Sequence, residues 1–274
     1  MPIDNVLRLY SETIKSSYLH YGYWDDPNNI QFENMTLKDI KHAQERYIEN
    51  LSTFIPKNVK TILDVGCGIG GNAEYLINHG YSVETLSPDD YQKKIVFDKF
   101  NGKVVFHHSK FEEFESEKKY DLILQSESAC YIDIDAGFSR ASKILKDRGY
   151  ILASDYFVHY NDNSNSPHLQ SSHDMKSYLG SAKKFGFNLI NECDQTENTI
   201  VTLDYGKYFL DRFIHPIIDY AAYSAKKNYP KVAGIMEKVI LPKFESKKNQ
   251  LELIDSKLFR KYRKYMIYLF TKLW

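Results

Sequence analysis

Residues 62–71 read Ile62-Leu63-Asp64-Val65-Gly66-Cys67-Gly68-Ile69-Gly70-Gly71, and this stretch decides the fold. An apolar strand runs into a glycine-rich turn, and a helix is predicted from about Asn72. Because glycines have no side chains, the backbone at Gly66 and Gly68 can lie close to a ligand. Unpaired N–H groups at the start of the helix favour a carboxylate or phosphate there. The stretch therefore predicts a strand–turn–helix unit with a ligand-binding turn.

Asp64, two residues before the first glycine, narrows this interpretation. The segment Leu-Asp-Val-Gly-Cys-Gly at 63–68 resembles motif I of the class I S-adenosylmethionine (SAM)-dependent methyltransferases. A glycine pattern alone also fits a nicotinamide dinucleotide site or a purely structural turn. The resemblance implies that SAM is the cofactor and that Asp64 helps to hold its methionine end. It also implies that the backbone at Gly66, Cys67 and Gly68 lies against SAM.

Length and composition limit the other possibilities. The 274 residues suit one large α/β domain with additions, and Lys+Arg equal Asp+Glu at 36 each. The formal net charge is zero, so we expect neither a nucleic acid nor an acidic membrane as partner. The three cysteines are far apart, which predicts free thiols in a reducing compartment. With no signal-peptide pattern and no long apolar stretch, we expect a cytoplasmic protein without stable membrane insertion.

Apolar strands alternate with helices along the chain. This order predicts a parallel sheet with helices on both faces. The resemblance implies an α/β, Rossmann-like sheet of seven mostly parallel strands, with the seventh antiparallel and inserted between the fifth and sixth. The predicted strands are 59–65, 81–86, 104–107, 120–125, 150–155, 188–192 and a last strand near the C-terminus.

Four segments are predicted from this order. Residues 1–58 form an N-terminal helical lid, in which Thr36 and Asp39 fit a capping box. Residues 59–205 form the SAM-binding core. Residues 206–258 form a helical insertion that covers the substrate, and 259–274 supply the last strand. Aromatic residues of the insertion either shape an apolar pocket or form ordinary core; these are Phe209, Phe213, Tyr220 and Tyr223.

The end of the second strand departs from the usual family pattern. An acidic residue generally stands there and binds the ribose hydroxyls, but this chain has Ser87. The segment Thr-Leu-Ser-Pro at 85–88 instead resembles the sterol-type and cyclopropane-synthase-like methyltransferases. Asp89 or Asp90 is then the candidate for the ribose. The alternative is that both acids only favour the helix start through its dipole.

Three further residues are candidates for the cofactor site. Lys110 stands where the family often has an Asp for the adenine amine, and a lysine cannot accept that hydrogen bond. The backbone at Lys110 and Phe111 is the substitute, with Phe111 either beside the adenine or in the core. Gln125, at the end of the fourth strand, is the third candidate.

An aromatic segment near the N-terminus is a candidate lid. His20-Tyr21-Gly22-Tyr23-Trp24-Asp25 resembles the lid of lipid- and terpenoid-type methyltransferases. The face of Tyr23 would attract the sulfonium by a cation–π interaction. The alternative is a cluster of packing aromatics.

The substrate-side candidates follow strands four and five. Ligands bind outside the carboxyl ends of parallel strands, which favours Glu127 as a general base or as the partner of a developing cation. The alternative is a loop carboxylate that caps a helix or binds SAM. Tyr156 and Asp155 are secondary candidates. His168 and His173, in the loop after strand five, are either catalytic or simply solvated.

These residues predict methyl transfer from SAM to a small, largely apolar acceptor such as a lipid, a terpenoid or a secondary metabolite. Carbon methylation or cyclopropanation of an alkene with the same donor is the nearest rival. A non-catalytic SAM-binding module and a nicotinamide oxidoreductase are the others. His107-His108 has no further ligands at metal-binding spacing, so we expect no metal. The sequence leaves the oligomeric state undetermined.

Overall fold

Seven strands form one sheet in the computed structural model, which describes residues 15–170, 172–229 and 252–273. The strand order is β3-β2-β1-β4-β5-β7-β6. The strands are β1 (Thr61–Val65), β2 (Ser82–Leu86), β3 (Phe106–His107), β4 (Tyr120–Ser126), β5 (Leu145–Val158), β6 (Phe187–Asp194) and β7 (Arg263–Lys272).

Eight α-helices accompany the sheet in these residues. Five begin at a side chain that accepts a backbone N–H of the first turn: Thr36, Asp89, Asp133, Asp174 and Asp255. The helices are α1 (Leu37–Ser52), α2 (Gly71–Asn78), α3 (Asp90–Phe100), α4 (Ile134–Ile144), α5 (Met175–Lys184), α6 (Thr196–Phe209), α7 (His215–Asn228) and α8 (Ser256–Tyr262).

Strand pairing confirms the predicted fold class. Strands β1 to β5 pair in parallel, and β7 pairs antiparallel with both β5 and β6. The parallel strands end at the same edge of the sheet. Residues that follow β1, β2 and β4 are therefore brought together, although they are far apart in the chain.

Two hydrophobic clusters cover the two faces of the sheet. Successive strand residues alternate between them: Ile62 joins one cluster with Tyr47, and Leu63 joins the other with Phe138. By this alternation Asp64 points to the face of Ile62, which α1 and α2 cover. Burial on both faces explains why the central strands are continuously apolar.

Some predicted boundaries differ from the structure. Strand β5 begins at Leu145, directly after α4 and before the start predicted at 150. The strand is irregular there, because Arg148 has a left-handed φ of 58° and the pairing with β4 shifts register. Helix α6 begins at Thr196, before the start of the helical insertion predicted at 206–258.

The prediction that residues 1–58 are mostly helical is wrong for the described part before α1. Residues 15–36 contain two short 3-10 turns, Pro27–Asn29 and Phe32–Asn34, and otherwise irregular chain. Residues 1–14 lie outside the described part. The predicted capping box at Thr36 and Asp39 is present at the start of α1.

The predicted substrate cover is described only in part, because 230–251 lie outside the described residues. A π-turn, Leu210–Ile214, joins α6 to α7. Its predicted pocket aromatics are exposed: Phe209, Phe213, Tyr220 and Tyr223. Among the residues described, no helix is long and apolar enough to cross a membrane.

Candidate active site

A cavity of about 610 Å³ opens at the carboxyl ends of β1, β2 and β4. Five segments of the chain enclose it. They are the glycine-rich turn after β1, the segments that follow β2, β3 and β4, and an N-terminal segment. Its walls include Ser17, Tyr18, Leu19, His20, Gly66, Cys67, Gly68, Ser87, Asp89, Gln92, Lys110, Phe111, Glu127, Ser128, Tyr131 and Ile132.

The glycine-rich turn needs glycine for two separate reasons. Gly66 and Gly68 have left-handed φ values of 69° and 54°, which residues with a Cβ rarely adopt. A Cβ on Gly66 would also lie 2.4 Å from the Cβ of Ser128. Ser128 cannot move away freely, because its Oγ donates a 2.6 Å hydrogen bond to the carbonyl of Val65. The turn and the segment after β4 are thus locked together.

Asp64, on β1, carries a buried carboxyl group. Its residue is 1% exposed, and its Oδ2 has no hydrogen-bond partner among the described residues. Burial raises the pKa of Asp64 to about 7. Asp64 does not itself line the cavity, but the next residue, Val65, does. A ligand amine at this end of the cavity would supply the missing donor.

The N-terminal segment 16–20 lies across the start of α2. The Nε2 of Gln44 on α1 donates to the carbonyls of Tyr18 and His20, at 3.3 and 2.7 Å. A Cβ on Gly71 would lie 2.1 Å from the carbonyl oxygen of Ser17, so the segment rests directly on the helix. Residues 16–20 therefore form a strap of irregular chain over the start of α2, which shares only His20 with the predicted lid segment 20–25.

His20 provides the strap with a neutral anchor. Its Nδ1 donates to the carbonyl of Tyr21 at 2.8 Å, and its Nε2 lies 3.1 Å from Oδ1 of Asn72. The imidazole stacks on Tyr47 with ring centroids 4.1 Å apart. Burial lowers the pKa of His20 to about 4, so it adds no positive charge near neutral pH. Tyr23, the predicted lid contact, does not line the cavity; its N–H bonds to Ala43.

The segment after β2 presents polar groups to the cavity. Ser87 and Asp89 both line it, but Oδ1 of Asp89 accepts the N–H of Gln92 and caps α3. Asp90 is exposed and lies 3.3 Å from His108, away from the cavity. Gln92 was missed by the sequence analysis. Its Oε1 is buried in the cavity wall without a partner among the described residues.

The segment after β3 forms an apolar wall. Phe111 is 2% exposed and belongs to the core, which is one of the two predicted alternatives, and it also lines the cavity. Lys110 lines the cavity, and its side chain is exposed beside Glu113. Gln125 does not line this cavity, because its Oε1 accepts a 3.1 Å bond from the hydroxyl of Tyr178 on the other face of the sheet.

Glu127 stands immediately after β4 with a left-handed φ of 51°. Its N–H donates to the carbonyl of Ser154 at 2.8 Å, which holds this strained backbone in place. Its Oε1 accepts two hydrogen bonds, from the N–H of Tyr21 at 2.7 Å and from the hydroxyl of Tyr265 at 2.5 Å. Oε2 has no partner among the described residues. Burial raises the pKa of Glu127 to about 8.

A buried hydrogen-bond network stands behind Glu127. The hydroxyls of Tyr265 and Tyr47 are 3.0 Å apart, and Tyr47 bonds to Ser154 at 2.7 Å. Ser126 reaches Tyr47 at 3.3 Å, and Gln195 donates to Ser154 at 3.0 Å. These residues come from α1, β4, β5, β7 and the turn before α6. No local sequence pattern could have shown that they meet.

The remaining substrate-side candidates do not line the cavity. Tyr156 packs in an aromatic group, 6.5 Å from Tyr21 and 6.4 Å from Tyr265 between ring centroids, with the Arg263 guanidinium above it. Both oxygens of Asp155 accept backbone N–H groups.

His168 and His173, in the loop after β5, are held by contacts within the protein. His168 is fully buried, and its carbonyl accepts a 2.7 Å bond from Nε of Arg263, so it is not the solvated residue considered above. His173 lies with Nε2 2.9 and 2.8 Å from the carbonyls of Ala129 and Ile132. It fixes the turn that carries the cavity wall.

Comparisons with known proteins agree with this architecture. Residues 40–191 match the model of a family described as a methyltransferase domain. A chloroplastic tocopherol O-methyltransferase from Arabidopsis thaliana is 29% identical over 144 residues, which are 46% of this chain. The match spans only 40% of the plant protein.

Solved structures extend the likeness to nearly the whole chain. A Galdieria sulphuraria protein described as a sarcosine dimethylglycine methyltransferase superposes with a TM-score of 0.71 at 18% identity, covering 98% of both chains. The geranyl diphosphate C-methyltransferase of Streptomyces coelicolor superposes with a TM-score of 0.68 at 15% identity. It covers 97% of this chain and 91% of its own. At such identities the structures establish the shared fold.

Proposed function

The chain belongs to the methyltransferase domain family, and on this premise we propose that it transfers the methyl group of SAM to a small, largely apolar acceptor. One observation carries the proposal. The same cavity is lined by the glycine-rich turn and by Glu127, whose half-buried carboxylate has a free oxygen among the described residues. A methyl donor held at the turn would face that oxygen.

The cavity residues fit SAM along its length. The partnerless Oδ2 of Asp64 suits the ammonium of the methionine part, and the backbone at Gly66 and Gly68 allows close approach. Ser87, Asp89 and Gln92 offer acceptors for the ribose. Phe111 and Ile132 offer apolar contacts to the adenine, beside the exposed backbone at Lys110; all three line the cavity.

Methyl transfer from SAM requires the protein mainly to position the donor and the acceptor. SAM supplies an activated methyl group on a sulfonium, and the acceptor displaces it in line. The strap over α2 and the walls of the cavity exclude water and hold the reactants at contact distance. Glu127 takes the proton that the acceptor loses, through Oε2.

A hydroxyl group is the acceptor atom that we propose. A hydroxyl must lose a proton during methylation, and Glu127 lines the cavity directly before Ser128, which contacts the glycine-rich turn, with Oε2 left as an acceptor. The plant relative is named for O-methylation. Carbon methylation, named for the Streptomyces protein, is the other outcome, and NMR of the product distinguishes the two.

A nicotinamide dinucleotide as cofactor is less well supported. A nicotinamide dinucleotide site expects an acid at the end of β2, where the chain has Ser87. We place the protein in a reducing compartment such as the cytosol, because Cys67, Cys130 and Cys193 are all free thiols.

Calorimetry with SAM and NAD tests the cofactor first. We expect the wild type to bind SAM and not NAD, and Asp64→Asn to weaken SAM binding at least about tenfold, because the ammonium loses a charged partner. Turnover of SAM to S-adenosylhomocysteine is then measured with a panel of phenols and apolar alcohols. Binding of NAD instead of SAM would overturn the function. SAM binding without turnover on any acceptor would favour a non-catalytic module.

A further inference from the structure

We propose that Tyr265, on the last strand, is the positioning residue for Glu127: its hydroxyl and the N–H of Tyr21 occupy Oε1 and thereby aim Oε2 at the acceptor. The inference rests on the proposed function for the role of Glu127. It assigns a task to a hydroxyl on the last strand, which no sequence motif marks, and to a backbone N–H of the aromatic segment 20–25.

The hydrogen-bond geometry supports this assignment. A tyrosine hydroxyl has one proton, and Tyr265 lies 2.5 Å from Oε1 of Glu127 but 3.0 Å from the hydroxyl of Tyr47. The shorter contact to a charged acceptor takes the proton. Burial and the charge of Glu127 hold the pKa of Tyr265 well above its usual range, so the hydroxyl stays a donor.

Both donors converge on one carboxylate oxygen. With Oε1 accepting from Tyr265 and from the N–H of Tyr21, rotation of the carboxylate would break two bonds. Oε2 is left as the unbonded oxygen of a residue that lines the cavity. Because Tyr21 directly follows the strap residues, the second donor is present only when the strap lies across α2.

Tyr265 is itself held rigidly. It is fully buried, its ring lies edge-on to Tyr47 at 6.2 Å, and its N–H donates to Oγ1 of Thr196 at 2.9 Å. Its hydroxyl therefore has little freedom to leave Glu127.

Several other titratable groups surround Glu127 and interact with its charge. Asp155 on β5 repels its charge and raises its pKa, whereas the bonds from Tyr265 and Tyr21 lower it. The remaining titratable neighbours that sense the charge of Glu127 are Tyr47 on α1, Tyr156 on β5, and Cys130 and Tyr131 after β4.

The test is the titration of Glu127 followed by carboxyl infrared or ¹³C NMR signals, which needs no acceptor. The signal is identified by its loss in Glu127→Gln. In Tyr265→Phe we expect the pKa of Glu127 to rise by about one unit, a tenfold change, since the carboxylate loses a donor. With any acceptor found in the panel, kcat should fall about tenfold or more in Tyr265→Phe, while the affinity for SAM stays within about threefold.

Tyr268→Phe is the matched control. Tyr268 lies on the same strand and is equally buried, but its hydroxyl has no hydrogen-bond partner among the described residues. Its removal should leave the Glu127 titration unchanged. An unchanged titration in Tyr265→Phe, or an equal shift in both variants, would overturn the proposal. If the wild type itself binds no SAM, the proposed function is refuted instead.

A second variant covers the case in which Tyr265→Phe does not fold. Glu127→Asp keeps a carboxylate and tolerates the left-handed backbone, but its shorter side chain cannot keep both donors and still face the acceptor. We expect its kcat to fall about tenfold or more although a base is present. A kcat equal to that of the wild type would show that orientation by the two donors is irrelevant.

Discussion

The position of Glu127 at the carboxyl edge of the sheet was predictable from the sequence, but its hydrogen bonds were not. Its place at the end of the fourth strand was enough to predict a substrate-facing carboxylate, because ligands bind at that edge of a parallel sheet. The left-handed backbone and the donors from Tyr21 and Tyr265 were not predictable. They depend on residues more than 100 positions away in the chain.

The affinity for SAM should depend on pH through Glu127. Its pKa is raised to about 8, so its carboxylate forms as the pH rises from 7 to 9, and the carboxylate attracts a sulfonium. We expect SAM to bind more tightly to the wild type than to Glu127→Gln by several-fold above pH 8, with the difference shrinking below pH 7. Calorimetry over this range measures it.

S-Adenosylhomocysteine is the control ligand, because it has no sulfonium charge. Its affinity should differ little between the wild type and Glu127→Gln at any pH. Equal pH dependence of SAM binding in the two proteins would show that Glu127 does not face the sulfur.

At the scale of elements, the strap and the start of α2 form one unit. Gln44 on α1 holds the strap from one side, and Gly71 provides the flat surface on which Ser17 rests. The predicted lid segment 20–25 meets the strap at His20, but the predicted helix before α1 and the contact of Tyr23 with the cavity are not present in the described residues. The sequence could not show that backbone carbonyls of the strap are satisfied by a side chain of α1.

Substitution of Gly71 by alanine should displace the strap from the start of α2. A Cβ at residue 71 would lie 2.1 Å from the carbonyl oxygen of Ser17, so the strap must move, whereas alanine is otherwise favourable in a helix. We expect the affinity for SAM to fall about tenfold, because Ser17 to His20 line the cavity, and the free energy of unfolding to fall by about 1–3 kcal/mol, because the contacts of Gln44 and His20 weaken.

Gly180→Ala in α5 is the matched control. No atom lies within 4 Å of its added Cβ, so SAM binding should be unchanged and stability equal or higher by up to about 1 kcal/mol. If Gly71→Ala binds SAM as well as Gly180→Ala does, the strap is not part of the cofactor site. Thermal unfolding and calorimetry on both variants provide the comparison.

At the scale of the whole molecule, three carboxyls are buried at the cavity end of the sheet. Burial raises the pKa of Asp64 to about 7, of Asp155 to about 6 and of Glu127 to about 8. Each makes the folded state bind protons that the unfolded state has released. Ionising these carboxyls costs stability, and all three lie toward the edge of the sheet that carries the cavity. Such clusters of perturbed pKa values are typical of functional sites.

Stability should therefore fall as the pH rises through this range. For Asp64 the folded pKa of about 7 exceeds the usual aspartate pKa of 3.8, so between these values the folded protein holds the extra proton. We expect the free energy of unfolding of the wild type to fall relative to that of Asp64→Asn from pH 4 to 7, by about 1–3 kcal/mol, and to level off above. Urea denaturation of both proteins measures this difference.

The comparison with Asp64→Asn cancels the opposite contribution of His20, whose lowered pKa of about 4 adds stability as the pH rises to 6.5. A difference between the two proteins that does not change with pH would mean that Asp64 is already ionised in the folded state. Another group would then compensate its charge.

The sequence by itself determined the strand order along the chain, the two-faced burial of the sheet, the glycine-rich turn and the family. These depend on local periodicity and on residues adjacent in the chain. Only the tertiary structure decided which polar groups face the cavity: it brought Gln92 and the strap into its walls, moved Gln125 and His168 away, and joined Tyr265 to Glu127. The physical reason is that side-chain direction at a strand end, and hydrogen bonds between distant segments, depend on packing that no local pattern records.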